Sequence, residues 1–114
     1  MSVALTTVQA LRLWHGVALS TVRDGEPDLS VRQLCILLTI YLEAPPHTVR
    51  DLAKKLGVSK PVITRALDAM GKLELVTRRR DEADRRNVLI QRTVKGALYL
   101  ERLADTIGNL SQSI

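Results

Sequence analysis

Apolar residues recur along this chain at helical spacing, interrupted once by a stretch of strand-like alternation. From Thr7 to Val22, Leu11, Trp14, His15 and Ala18 fall on one face of a helix, and Leu13 and Val17 widen the apolar arc to a second side. The turn residues Asp24-Gly25-Glu26-Pro27-Asp28 mark a loop. Ser30 then stands as N-cap of a second helix, Val31 to Glu43. Its Val31, Leu34, Cys35, Leu37, Leu38, Ile40, Tyr41 and Leu42 make it apolar nearly all round, which predicts a central position. Pro45-Pro46 stops it, because proline has no N–H and clashes with the preceding turn.

Thr48-Val49-Arg50-Asp51 opens a short third helix as a capping-box variant, with Asp in place of Glu or Gln. Leu52, Ala53 and Leu56 face inward, and Gly57 ends the helix. Ser59 is expected to cap a fourth helix, Lys60 to about Lys72, with Pro61 in its first turn. Ile63, Ala66, Leu67 and Met70 form its apolar stripe, and Pro61, Thr64, Arg65, Asp68 and Lys72 lie opposite. Leu75 to Arg80 and Val88 to Arg92 read as two strands around a polar tip, a β-hairpin with a long loop. Thr93 caps a last helix from Val94 to about Ile107, and the Ser/Gln-rich end beyond Gly108 is expected to fray.

The chain has 114 residues, 46 % of them hydrophobic, with no Phe, which predicts a folded domain with an aliphatic core. The lone Cys35 cannot form an internal disulfide and is expected to be an inert packing residue. His15 is expected to pack at a helix face or interface and His47 to lie in a loop. No Cys/His cluster, nucleophile–base pair or phosphate loop can be assembled, so neither metal, cofactor nor enzymatic activity is expected. A reducing, cytoplasmic setting fits the single thiol, and neither a signal peptide nor a membrane span is legible. The net charge of +5 is unevenly placed: Lys54 to Lys95 carries +7 and the remainder −2. Such a basic segment is the electrostatic footprint of a phosphate-binding surface.

That segment coincides with a short helix, a Gly-containing turn, a second capped helix and a basic hairpin, which is the pattern of a winged helix-turn-helix. In such a motif the second helix enters the major groove by its N-terminal residues, here Ser59, Lys60, Pro61, Thr64 and Arg65. On the first strand, alternation puts Arg79 opposite Arg78 and Arg80, and the latter two join Arg85 and Arg86 as wing candidates for phosphate or groove contact. Asp68 repels phosphate and is expected to be structural or a local partner for Arg65 or Lys72.

The stretches TVRDLAKKLGVSKPVITRALDAM and LVTRRRDEADRRNVLIQRTVKG resemble the DNA-binding core of the MarR family. Asp84-Arg85-Arg86-Asn87, followed by an apolar strand and Thr93-Val94-Lys95-Gly96, is similar to that family's wing. The resemblance covers Ser30 to Gly96. It implies a homodimeric transcription regulator that binds a palindromic site in double-stranded DNA, usually as a repressor, and it leaves the identity of any small-molecule effector open. It also implies that Asp84 pairs with Arg86 and holds it at the wing tip for the minor groove.

Two features depart from the family. Glu74 stands where a Gly is common, so the turn into the wing is expected to differ. Only eighteen residues follow Gly96, so a smaller dimer interface is expected. The expected architecture is therefore a single mainly α domain, residues 1–114, with a small antiparallel β-hairpin wing. Its DNA-binding core runs from about 30 to 96, and the terminal helices, about 7–22 and 94–107, dimerise. Leu11, Trp14 and Val17 on the first helix and Leu100, Leu103 and Ile107 on the last are the interface candidates. The alternative, a winged-helix protein-interaction module, would require apolar anchors on the fourth helix and wing. Lys60, Arg65, Lys72, Arg85 and Arg86 stand there instead and favour nucleic acid.

Overall fold

The computed structural model describes residues Ala4 to Ile114. The elements run α1 (Thr7–Arg23), α2 (Val31–Leu42), α3 (Val49–Leu56), α4 (Lys60–Lys72), β1 (Val76–Arg80), β2 (Val88–Arg92) and α5 (Val94–Ser111). They fall into two compact units, Leu29–Tyr99 and the N-terminal residues to Asp28 with Leu100–Ile114.

In the Leu29–Tyr99 unit, Ser30 and Gln33 cap α2 reciprocally: each side chain accepts the other residue's backbone N–H, at 2.8 and 3.0 Å. Ile36, Leu37 and Ile40 of α2 are buried, as are Leu52 and Ala53 of α3, Ile63, Ala66, Leu67 and Met70 of α4, and Leu75, Val76 and Ile90 of the hairpin. This aliphatic cluster is the core. The all-round burial expected of α2 is not realised: Val31, Cys35 and Leu42 are exposed. α2 packs on α4 and β2, and its other side receives no cover from them. Cys35 lies on that open side and does not fill the core.

Thr48 supplies the hydroxyl half of its box, accepting the Asp51 N–H at 3.1 Å. Gly57 takes the left-handed conformation, φ 69°, that closes α3. Ser59 occupies the N-cap position of α4 but makes no side-chain cap hydrogen bond. Pro61 at the second helical position has removed one of the two N–H groups such a cap uses.

β1 and β2 pair antiparallel from Val76↔Arg92 to Arg80↔Val88. A third extended segment joins them: Thr48 bridges Leu89, and the Ile90 N–H donates to the His47 carbonyl at 2.9 Å. His47 lies in a loop as expected, and this pairing buries it, with Nε2 at 3.2 Å from the Glu43 carbonyl oxygen. The strand starts at Val76 because Leu75 still closes α4, donating its N–H to Met70 O at 3.0 Å. Glu74 sits between them at φ 62°, so the left-handed turn survives without glycine. Thr93 Oγ1 donates to the Glu74 carbonyl at 2.8 Å and accepts the Gly96 N–H at 2.9 Å. A Cβ at Gly96 would lie 2.3 Å from the Leu75 carbonyl oxygen, which explains why only glycine fits the start of α5.

In the other unit, Thr6 and Gln9 form a second reciprocal capping box that starts α1. α5 does not fray at Gly108 but continues to Ser111. Leu110 is the reason: it packs so closely on Gly16 of α1 that an added Cβ would be 2.9 Å from its Cδ1. Arg102 of α5 pairs with Glu26 in the loop after α1. Among the interface candidates, Val17 (4 % exposed) and Leu100 (5 %) are buried within the chain and Leu103 is half-buried. Leu11 (65 %), Trp14 (63 %) and Ile107 remain exposed. His15 is exposed too and not packed against a helix face.

The junction between α4, β1 and α5 yields a stability test. Gly96→Ala is expected to cost about 1–3 kcal/mol through overpacking against a backbone oxygen. Glu74→Gly is expected to stabilise by about 0.5–1 kcal/mol, since the left-handed penalty of about 1–2 kcal/mol exceeds glycine's extra unfolded entropy. Urea unfolding of the two variants, with opposite signs of midpoint shift, is the check.

Candidate nucleic-acid interface

α4 buries one stripe and exposes the other for reasons already in its sequence. Ile63, Ala66, Leu67 and Met70 meet the core, which turns Lys60, Pro61, Thr64 and Arg65 outward with Ser59 just before them. The Arg65 Nε lies along the helix, 3.5 Å from the Pro61 carbonyl oxygen. Because Ser59 is not engaged as a cap, its exposed hydroxyl is available for an outside acceptor.

Asp68 pairs with neither Arg65 nor Lys72. Its Oδ1 accepts from Arg78 Nη2 at 2.7 Å. Arg78 can reach it because alternation from buried Val76 puts Arg78 on the side of β1 that meets α4. One of the four wing arginines is thereby ion-paired to α4. Arg79 is exposed on the other side.

The wing tip is closed by short-range bonds. Asp81 N–H donates to Asn87 O at 3.0 Å, Asn87 N–H to Asp84 O at 2.9 Å, and Ala83 N–H to Asp81 Oδ1 at 2.9 Å. Arg80 Nη1 donates to the Arg85 carbonyl at 2.5 Å. The Asp84 carboxylate takes three bonds from one residue: Arg86 N–H at 3.1 Å and Nε at 3.0 Å on Oδ1, and Nη2 at 3.1 Å on Oδ2. This fork fixes both the backbone and the guanidinium of Arg86, while its side chain stays largely open to solvent. These bonds hold the Asp84 carboxyl below its ordinary value, and the charge of Arg50 at the start of α3 lowers it further. The Arg85–Glu82 pair, 3.9 Å apart and highly exposed, contributes little order.

Two arginines have roles that sequence patterning missed. Arg92 counts toward the basic segment, yet its Nε donates to Ile40 O at 2.8 Å and its Nη2 to Glu43 O at 3.2 Å, with the guanidinium 5.6 Å from the Tyr41 ring centre. It caps the carbonyl end of α2, although the residue stays partly open to solvent. Arg50 lies outside the basic segment but acts on Asp84 across the fold. The bridge of Thr48 to Leu89 and the packing of α3 on β2 bring the start of α3 toward the hairpin, which no local spacing encodes.

Among the described residues, no three His, Cys, Asp or Glu side chains are grouped to hold a metal, and no helix is long and apolar enough to cross a membrane.

A trihelical core with its second helix-turn-helix element exposed, followed by a two-stranded hairpin, defines a winged helix-turn-helix protein. The chain belongs to the MarR family, whose model matches residues 29–88. It is similar to the organic hydroperoxide resistance transcriptional regulator of Bacillus subtilis (strain 168), 33 % identical over 83 residues that make up 73 % of this chain. It spans 56 % of that relative's length. Among solved structures, the transcriptional regulator Tm0710 from Thermotoga maritima superposes with a TM-score of 0.76 at 25 % identity, covering 91 % of this chain and 70 % of the other. The S. aureus MepR–DNA complex superposes with a TM-score of 0.80 at 20 % identity, covering 93 % and 84 %, and shares the fold.

The Asp84 fork has a signed pH dependence. Its carboxyl is lowered, so the pairing is complete above the ordinary carboxylate range and is lost as pH falls below it. The Arg86 Nε–H resonance is expected to hold its shift between about pH 8 and 5 and to move only on further acidification. Movement near neutral pH would show that the fork does not form in solution.

Proposed function

We propose that this chain works in the cytoplasm as a dimeric transcription regulator, a repressor that recognises a palindromic operator in double-stranded DNA. α4 enters the major groove, where Lys60, Thr64 and Arg65 meet base edges and phosphates. Ser59 and the N-terminal turn sit on the backbone. The wing follows the DNA outward, and Arg86 enters the adjacent minor groove. The observation that carries this is the Asp84 fork: an exposed arginine held by three hydrogen bonds at the tip of a hairpin is pre-ordered for a narrow, negative groove. The Arg78–Asp68 bond supports it by tying wing and recognition helix into one reading unit. Exposed Leu11, Trp14 and Ile107 support pairing with a second copy, since such residues are costly to leave in water. A two-fold dimer sets two recognition helices about one DNA turn, or a multiple of it, apart.

Duplex selected from sheared genomic DNA is the probe. Log K is expected to fall with log[salt] by about 0.9 per phosphate contact. Affinity that stays flat from low to physiological salt would rule out DNA binding of this kind. Arg86→Ala is expected to cost about 1–3 kcal/mol on selected duplex and much less on random duplex. Asp84→Ala removes a charge that repels phosphate, so random-duplex affinity is expected to hold or rise while the preference for selected duplex falls. The double variant should lose no more preference than Arg86→Ala alone.

Dimerisation is tested separately by light scattering after size exclusion. A dimer mass that shifts toward monomer in Leu11→Glu is expected. A strictly monomeric mass at high concentration, with one protomer per DNA site, would overturn the dimer. Leu100 is unsuitable for this purpose because it is buried within the protomer.

A further inference from the structure

A cleft of about 290 Å³ opens between the start of α2 and the middle of α4, lined by Ser30, Arg32, Gln33, Val62, Arg65 and Ala66. Two arginines from separate elements therefore line one small space, and both are exposed. No carboxylate lines the cleft, and the first turn of α2 contains no acidic residue. Among the described residues, neither Arg32 nor Arg65 has an ion-pair partner, whereas Arg78, Arg85, Arg86 and Arg102 each have one. Two like charges lining one cleft repel each other, and a shared anion reverses the sign of that term.

We infer that the Arg32–Arg65 cleft is a phosphate clamp, which takes a backbone phosphodiester of the same DNA duplex that α4 reads. The inference rests on the DNA-binding function proposed above. Arg65 belongs to the exposed face of α4, so an anion shared with it lies at the edge of the groove that α4 enters. A planar guanidinium suits the site because it can present two N–H groups to two phosphate oxygens. The polar neighbours fit as well: the Ser30 and Gln33 side chains are occupied by each other's backbone N–H groups, so they hold the helix start in place. The unbonded amides of that first turn add positive potential. A contact of this kind carries no sequence information. It sets the register of the recognition helix on the duplex.

Sequence alone gave no cue to this site. Arg32 lies outside the basic segment and thirty-three positions before Arg65. Only the packing of α2 on α4 brings them to one cleft.

The test compares wild type, Arg32→Gln and Arg32→Lys by fluorescence anisotropy over a salt series, on selected and random duplex. Arg32→Gln is expected to weaken binding about fivefold near 0.15 M salt, equally on both duplexes, and to reduce the salt slope by about one. Arg32→Lys should keep the slope. Unchanged helix content by circular dichroism confirms that the exposed substitution leaves the fold intact. If wild type binds with a salt slope that Arg32→Gln leaves unchanged, the clamp is overturned while DNA binding stands. If wild type shows no salt-dependent binding, both fall. A third arm adds inorganic phosphate at matched ionic strength. Release of DNA by sub-millimolar phosphate from wild type but not from Arg32→Gln would identify a free-anion site and overturn the assignment to DNA.

Discussion

The contact between Gly96 and the Leu75 carbonyl sets the geometry on which the rest of the DNA-facing surface depends. Three elements meet there: the end of α4, the start of β1 and the first turn of α5. Thr93 bonds the same turn through its hydroxyl, donating to Glu74 and receiving the Gly96 N–H. With α5 pressed this close, the chain can leave α4 in only one direction, and the wing inherits that direction. The left-handed Glu74 is tolerated because its own N–H and carbonyl are bonded, to Gly71 and Thr93, and the next residue, Leu75, is held by its bond to Met70. A turn that the departure from glycine put in question is thus held by hydrogen bonds and packing, at a conformational cost of about 1–2 kcal/mol.

The charge distribution looks simpler in sequence than it is in space. Within the basic segment, Arg92 caps the carbonyl end of α2, Arg78 bonds Asp68, and Lys55 pairs with Glu43 at 2.9 Å. These cations organise the fold and neutralise local carbonyls or carboxylates. Lys60 and Arg65 on the outer side of α4 and Arg85 and Arg86 at the wing tip stay exposed. Arg32, outside the segment, lines a cleft with Arg65 because α2 packs on α4. Summed charge along a stretch of sequence therefore does not say which of its cations are paired within the fold and which stay exposed.

The apolar surface divides in a similar way. The Leu29–Tyr99 unit completes an aliphatic core with one side each of α2, α3 and α4 and with Val76 and Ile90 of the hairpin. In the other unit, Val17 and Leu100 are already buried within the protomer, and the Leu110–Gly16 contact locks α5 to α1. Leu11, Trp14 and Ile107 are left outward, so the broad apolar arcs of the terminal helices serve two purposes, one inside the chain and one available to a second copy.

Local sequence determined the element order, the caps, the fourth helix's division into buried and exposed faces, and the wing, because these depend on periodicities and turn chemistry within a few residues. The Asp84–Arg86 pair was legible for the same reason, its partners being two positions apart. Tertiary structure alone decided that Asp68 answers Arg78, that Arg92 caps a helix about fifty residues away, that His47 is buried beside the hairpin and that Cys35 is not buried. Each of those outcomes depends on which face of one element meets another. Apolar patterning states how much of a helix is fit for burial, but only the packing of its neighbours decides which part they cover and which charges they bring together.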